Sequence, residues 1–226
     1  MPAINLRVTA PICAFRRPYA REYLETERVA PPSTIYGFLL SLVGEEDRTR
    51  FIGTRLAIAM LSEPKVSTVL RTTWRIKERK TPPGKGANRK PDFQELLTGV
   101  EVAVWVADGP LAGRLRLCAG QPGAIARFGG LSLGESRDLV NEICFEPDLT
   151  GREGRWLVRD PKGRLPLTLW VDHVGSKGTR WEQFAIQNGS LAAPPAEDPR
   201  WITIEPPLAV AKAKPSGRKK RTGGKE

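Results

Sequence analysis

Histidine is nearly absent from this 226-residue chain, which has one, His173, and cysteine is scarce, with Cys13, Cys118 and Cys144 set far apart. An odd, widely spaced set of thiols forms neither a disulfide framework nor a CxxC metal site. With a single imidazole there are almost no candidate ligands for a structural zinc or a haem. Free thiols fit a reducing compartment, and the chain is read as cytoplasmic. No apolar run approaches the length that spans a bilayer, and Arg7, Arg16 and Arg17 interrupt the first apolar residues, so neither a membrane span nor a secretory leader is expected. A GxGxxG fingerprint and a phosphate loop ending in GKS or GKT are both missing, and no cofactor is expected. No internal repeat is evident.

Acidic residues are also in deficit. Asp and Glu total 25 against 36 Lys and Arg, a formal charge of +11, which in a folded chain points to a polyanionic partner such as nucleic acid. Most of the excess sits in two places. Residues 65–90 hold nine Lys or Arg and one acidic residue, and residues 211–226 hold seven and one. These windows carry +8 and +6, so the remainder sums to −3.

Residues 3–9 read as a strand, followed by a loop rich in charge and tyrosine through Arg28. Pro31-Pro32-Ser33-Thr34 then opens the clearest helix, with Ile35, Phe38, Leu39, Leu42 and Val43 at helical spacing and Gly44 as its stop. Ser33 or Thr34 is expected to cap it, and Gly37 is expected to allow close packing against another backbone. Arg55–Leu61 is a near-continuous apolar run, as in a strand covered on both faces. Leu70, Thr72, Trp74 and Ile76 alternate with Arg71, Thr73, Arg75, Lys77 and Arg79, giving an apolar face and a basic stripe. Val100, Val102, Val104 and Val106 alternate equally well. The pair predicts a long hairpin, about residues 67–107, whose strands of seven to nine residues flank a mobile tip rich in Pro, Gly and Lys.

The segment after Asp108-Gly109-Pro110 is left between helix and strand, because Gly113 and a Leu-Arg alternation compete with the helical spacing of Leu111, Leu115 and Cys118. Short strands are expected at 139–145, 156–159, 165–171 and 180–186. His173 ends the second-last of these on its apolar side and is read as a packed residue, not a base. The six tryptophans are read as core or interface, and Trp74 as packing on the apolar hairpin face, not base stacking. Beyond Ala211 the chain is too polar and basic to fold alone. The fold class is α+β of the ferredoxin or RRM kind, with additional C-terminal strands. One domain, 1–205, is expected, with a basic tail at 206–226.

Two elements offer binding chemistry. The basic stripe with its tip, including Lys80, Lys85, Arg89 and Lys90, suits successive phosphates; its plain alternative is an edge strand protected by lysine. The segment from Gly120 through Arg127-Phe128-Gly129-Gly130-Leu131-Ser132-Leu133-Gly134-Glu135-Ser136 offers backbone N–H groups, hydroxyls, a guanidinium and a stacking ring; its plain alternative is a turn before a strand. The helix start at Ser33 and Thr34 adds free amides, although capping alone also explains those side chains.

Ala14-Phe15-Arg16, then Ala30-Pro31-Pro32-Ser33-Thr34-Ile35-Tyr36-Gly37-Phe38-Leu39-Leu40 with Gly44, resembles the opening of the Cas-five family of CRISPR-associated proteins, in the RAMP superfamily. Gly129 through Val140 resembles that family's later glycine-rich element. The resemblance covers about residues 1–145. It implies a ferredoxin-like core whose hairpin, a thumb, crosses a guide RNA in a type I Cascade-like complex. It also implies a subunit that caps the backbone filament, holds the 5′ handle of the CRISPR RNA, contacts the large subunit, and meets target DNA through the complex. The candidate RNA-binding set is then Arg16, Arg17 and Tyr19; Ser33 and Thr34; Arg71, Arg75, Lys77, Arg79, Lys80, Lys85, Arg89 and Lys90; and Arg127, Phe128, Gly129, Gly130, Ser132, Gly134 and Ser136. One branch of the family is a metal-independent endoribonuclease with adjacent Lys and His in its site. Here the lone His follows Asp172, so no catalytic residue is assigned. Guide-processing nuclease and unrelated basic RNA-binding protein stand as the alternatives.

Overall fold

The computed structural model describes residues 2–20, 23–171 and 178–207. His173 and the basic segment 208–226 lie outside the described residues.

In β1 (Ile4–Cys13), Ile4, Leu6 and Val8 are buried in alternation with more exposed neighbours, the period of a half-covered strand. The segment expected as a charged loop carries short strands, β2 (Phe15–Arg16), β3 (Tyr23–Leu24) and β4 (Thr26–Glu27). α1 (Pro32–Leu42) follows, but no side chain caps it. The Pro31 carbonyl accepts the N–H groups of Thr34 and Ile35, and Pro32 has no N–H to satisfy, so the first turn leaves little for a side-chain cap to do. Ser33 is instead buried and shares a 2.6 Å hydrogen bond with Thr168. The helix ends as expected at Gly44, whose N–H donates to Ser41 O while Glu45 N–H reaches Leu40 O, a Schellman pair with Gly44 at φ +68°. At Gly37 the close neighbour is a side chain, not a backbone: the Arg48 guanidinium, which also lies 5.4 Å from the Tyr36 ring centre and 5.2 Å from that of Trp170.

β5 (Arg55–Met60) precedes β6 (Lys65–Trp74) and the long β7 (Arg89–Val106). The next segment resolves as helix, α2 (Pro110–Gly120), with Pro110 in the first turn and Leu111, Leu115 and Cys118 buried. The expected later strands are β8 (Glu142–Phe145), β9 (Glu153–Arg159), β10 (Leu165–Trp170) and β11 (Arg180–Ser190), followed by β12 (Ile202–Thr203).

The main sheet runs β10-β11-β9-β5-β7-β1-β8, with β12 on β5 and both β3 and β6 on β7. Every pairing in it is antiparallel except β3 with β7. The fold is thus mixed α/β, mostly antiparallel sheet with two helices. Its centre follows a β-α-β-β-α-β path, β1-α1-β5-β7-α2-β8, in the order β5-β7-β1-β8. β5 is covered on both faces, as its apolar run predicts. Leu56, Ile58 and Met60 join the cluster that contains α1 and α2, while Ala57 and Ala59 pack with Trp105, Trp156 and Val158. Alanine suits the second face because the Trp105 and Trp156 rings, 4.7 Å apart, fill it.

The hairpin differs from expectation in register. β6 pairs with residues 89–98, Lys65 opposite Thr98 and Trp74 opposite Arg89, whereas 102–106 lie between β1 and β5. The hairpin therefore closes at 75–88, and β7 continues unbroken from it into the central sheet.

Candidate nucleic-acid interface

The hairpin tip is built around one residue the sequence did not single out. Asn88 is fully buried; its Oδ1 accepts the N–H groups of Lys77 and Glu78, each at 2.7 Å, and its Nδ2 donates to the carbonyls of Glu78 and Thr81. Its own carbonyl accepts Arg75 N–H at 2.9 Å and Gly84 N–H at 3.2 Å. A tip expected to be mobile is thus a hydrogen-bonded loop, which holds Lys77, Arg79, Lys80 and Lys85 exposed around it. Those four and Arg89 form no ion pair among the described residues, and Arg75 Nε donates to Ala87 O.

The two faces of the hairpin are exchanged relative to expectation. Arg71 and Thr73 are half-buried, while Leu70, Thr72 and Trp74 are exposed. The reason lies on β7: Asp92, opposite Arg71, and Gln94, opposite Val69, are buried on the Arg71 side. The Thr73 hydroxyl at 2.6 Å, then the Lys90 ammonium at 3.1 Å, hold the Asp92 carboxyl below the usual carboxylate range. Arg71 and Lys90 are therefore drawn toward an internal carboxylate, and the free positive charge is concentrated at the tip.

The glycine-rich segment closes on the same side. Gln94 Nε2 donates to Glu135 at 3.2 Å, and Arg137 reaches both Gln94 Oε1 and, at 2.8 Å, Glu135. Asp138, nearly fully buried, accepts Ala14 N–H at 2.9 Å and Glu135 N–H at 2.8 Å through one oxygen. Burial pushes its carboxyl above the usual range against the pull of these two bonds. Gly134, at φ +115°, lies so near that a Cβ there would stand 2.6 Å from Ala14 O. The result is a shallow cleft of about 230 Å³ between Arg16, Thr34, Gly134, Glu135 and Val171. Four stretches distant in sequence meet in it: residues 14–18 with β2, the start of α1, the glycine-rich segment, and the end of β10 with Val171. Glu135 links it to β7 through the buried Gln94, so the cleft is tied internally to the strand that carries the hairpin.

Other candidates fall elsewhere. Arg17 is tied to Glu25 and Glu27 at 3.3 and 3.2 Å, and Tyr19 stacks on Trp181 with ring centres 6.0 Å apart. Arg127 and the fully exposed Phe128 border a separate cavity with Arg48, Glu45 and Glu46. Gly129, Gly130 and Ser136 are exposed, and Ser132 forms an isolated bridge with Leu139. No cluster of three His, Cys, Asp or Glu suited to a metal occurs among the described residues, and none of their helices is long and apolar enough to cross a membrane.

In solved structures the same class of fold recurs. A chain described as "CRISPR RNA-guided surveillance complex" matches 88% of this chain and 96% of its own length, at TM-score 0.56 and 14% identity. Another, "Crystal structure of Cas protein", matches 84% of this chain and 95% of its own, at TM-score 0.51 and 12% identity. No family model matches the chain. In sequence it is 41% identical over 199 residues to "CRISPR-associated protein Cas5" of Myxococcus xanthus (strain DK1622), spanning 84% of this chain and 92% of that protein. The chain belongs to the Cas5 family of CRISPR-associated proteins.

Proposed function

We propose that the chain is a non-catalytic subunit of a type I, Cascade-like CRISPR effector complex, binding the 5′ handle of the CRISPR RNA and capping the backbone filament in antiviral DNA interference. The observation that carries this reading is the set of exposed cations without ion pairs among the described residues, Lys77, Arg79, Lys80, Lys85 and Arg89, held on an internally bonded hairpin tip. Such an arm suits a polyanionic strand, because each phosphate neutralised releases condensed counterions. The likeness to a chain of an RNA-guided surveillance complex, together with the Cas5 relative of Myxococcus xanthus, favours a guide RNA as that strand. The β-α-β-β-α-β path supports a ferredoxin-like RAMP domain over residues 1–205, with the hairpin as its thumb and 206–226 as a basic tail. Arg16, Thr34 and the backbone near Gly134 are assigned to the RNA in the cleft; Ser33, buried against Thr168, positions the helix start.

The test is a triple variant, Arg75→Ala, Lys77→Ala and Arg79→Ala, titrated with repeat-derived RNA at several salt concentrations. The slope of log affinity against log salt should fall by about 2, as expected for three lost contacts to a single strand. A folded variant with wild-type affinity, slope and assembly would remove the thumb role and leave an edge strand protected by charge. Cleavage of repeat RNA by the purified chain without added metal would replace the non-catalytic reading with a guide-processing one.

A further inference from the structure

The face of the hairpin opposite Asp92 and Gln94 is apolar, aromatic and uncovered. Leu70, Trp74 and Phe93 are 64%, 69% and 49% exposed. Residues directly opposite in an antiparallel pair share a face, which sets Leu70 beside Phe93 and Trp74 beside Arg89. β3 extends the first row: Tyr23 is opposite Phe93, their ring centres 6.4 Å apart, and its hydroxyl is fixed by Thr68 and Glu95 at 3.1 and 3.2 Å. At the outer end the tip loop supports Trp74 from beneath, since Gly84 lies so close that a Cβ there would be 2.6 Å from the indole.

Large rings left in water on an extended arm need an occupant, and the charge around them selects it. Arg89 lies directly opposite Trp74, and Lys85, exposed, follows Gly84, which touches the indole. Exposed aromatic rings with cations beside them at the tip are the chemistry that binds single-stranded nucleic acid, rings taking bases and cations taking phosphates. The Phe93 and Trp74 rows are four residues apart on β6, roughly 13 Å along the strand. That is several times the ~3.4 Å between stacked bases, so the rows suit bases splayed apart on an extended strand and not a duplex.

We propose that the hairpin face carrying Tyr23, Leu70, Trp74 and Phe93 is a base-stacking platform for single-stranded RNA. The inference rests on the RNA-binding reading above and adds to it a second, salt-independent mode of contact on the arm. The hairpin then grips RNA in two ways: cations set the salt dependence, and rings distinguish a strand with bases from one without.

The experiment compares an oligouridylate with a ribose-phosphate strand of equal length that lacks bases, using the full chain and a Trp74→Leu/Phe93→Leu double variant. Both substitutions keep apolar area and lie at exposed positions; thermal unfolding of each protein checks the fold. Wild type should prefer the base-bearing strand about a hundredfold, on the order of tenfold per stack. The double variant should lose that preference with an unchanged salt slope, and Trp74→Tyr with Phe93 intact should restore most of it. A double variant that keeps the preference overturns the platform. If it keeps the preference but no longer copurifies with partner proteins, the face is a protein-docking surface. If wild type binds neither strand in a salt-dependent way, the RNA-binding reading itself falls.

Discussion

The carboxylate of Asp138 accepts the backbone N–H of Ala14 at 2.9 Å, joining positions 124 residues apart, and with its bond to Glu135 N–H it holds the cleft together. Asp138→Ala should leave two N–H groups without partners, at about 1–3 kcal/mol each where they remain buried. Asp138→Asn retains an acceptor oxygen and should lie much closer to wild type. Urea unfolding of the two variants checks this; equal losses would show that the side chain's charge matters and its acceptor geometry does not.

The same residue makes stability pH-dependent with a definite sign. Burial raises its folded-state affinity for a proton, so between the ordinary carboxylate value and the raised one the folded chain binds more protons than the unfolded chain. Its contribution is therefore most favourable below that window and declines as pH rises through it. Subtracting the unfolding curve of Asp138→Asn from that of wild type across the acid range should isolate a component that falls with rising pH. A component that rises would mean the two N–H bonds outweigh burial.

Asn88 serves six hydrogen bonds in the tip through its side chain and carbonyl, four of them from the side chain. Asn88→Ala should open the 75–88 loop while leaving the central sheet folded. Limited trypsin digestion is the readout, because the loop is full of Lys and Arg: cleavage there should speed up about tenfold or more, the ratio that ~1.4 kcal/mol of lost local stability produces. An unchanged cleavage rate would show that the strands alone order the tip.

Of the three cysteines, Cys13 and Cys118 are buried and Cys144 is half-buried. Burial first, and the nearby Asp138 carboxylate second, push the Cys13 thiol up to about 12, and burial raises that of Cys118. Thiolate is the reactive species. Mild alkylation at neutral pH should therefore label Cys144 alone in the folded chain and all three in urea, as peptide mass mapping would show. Rapid labelling of Cys13 under native conditions would contradict the packing around the cleft.

α1 was legible because Pro-Pro-Ser-Thr, the apolar spacing and Gly44 all point one way; its true cap was not, because the proline carbonyl takes over a role that side chains usually fill. α2 stayed open because Gly113 and the Leu-Arg alternation weigh against helix, and packing of Leu111 and Leu115 decided it. Alternation in β6 was plain from the sequence, but which face is covered depends on Asp92, Gln94 and Arg137, and period alone carries no such information. Pro91 hid the outer half of β7, since a proline in a strand reads as a break until the strand is seen to run on through it. The bond from Asp138 to Ala14 had no local signature at all: its partner is a backbone amide on the far side of the chain.

β7 is hydrogen-bonded to β6 and β3 over its outer half and to β1 and β5 over its inner half. Mechanically it is a cantilever whose root is clamped in the core, with an irregularity at Gly99, φ +76°, where the outer half meets the inner one. The arm's direction is settled when the chain folds, so a strand that docks on it need not freeze a swinging loop, and less ordering entropy opposes the encounter. Tension applied at the tip passes along one backbone into the middle of the sheet, so a load on the arm is borne by the core.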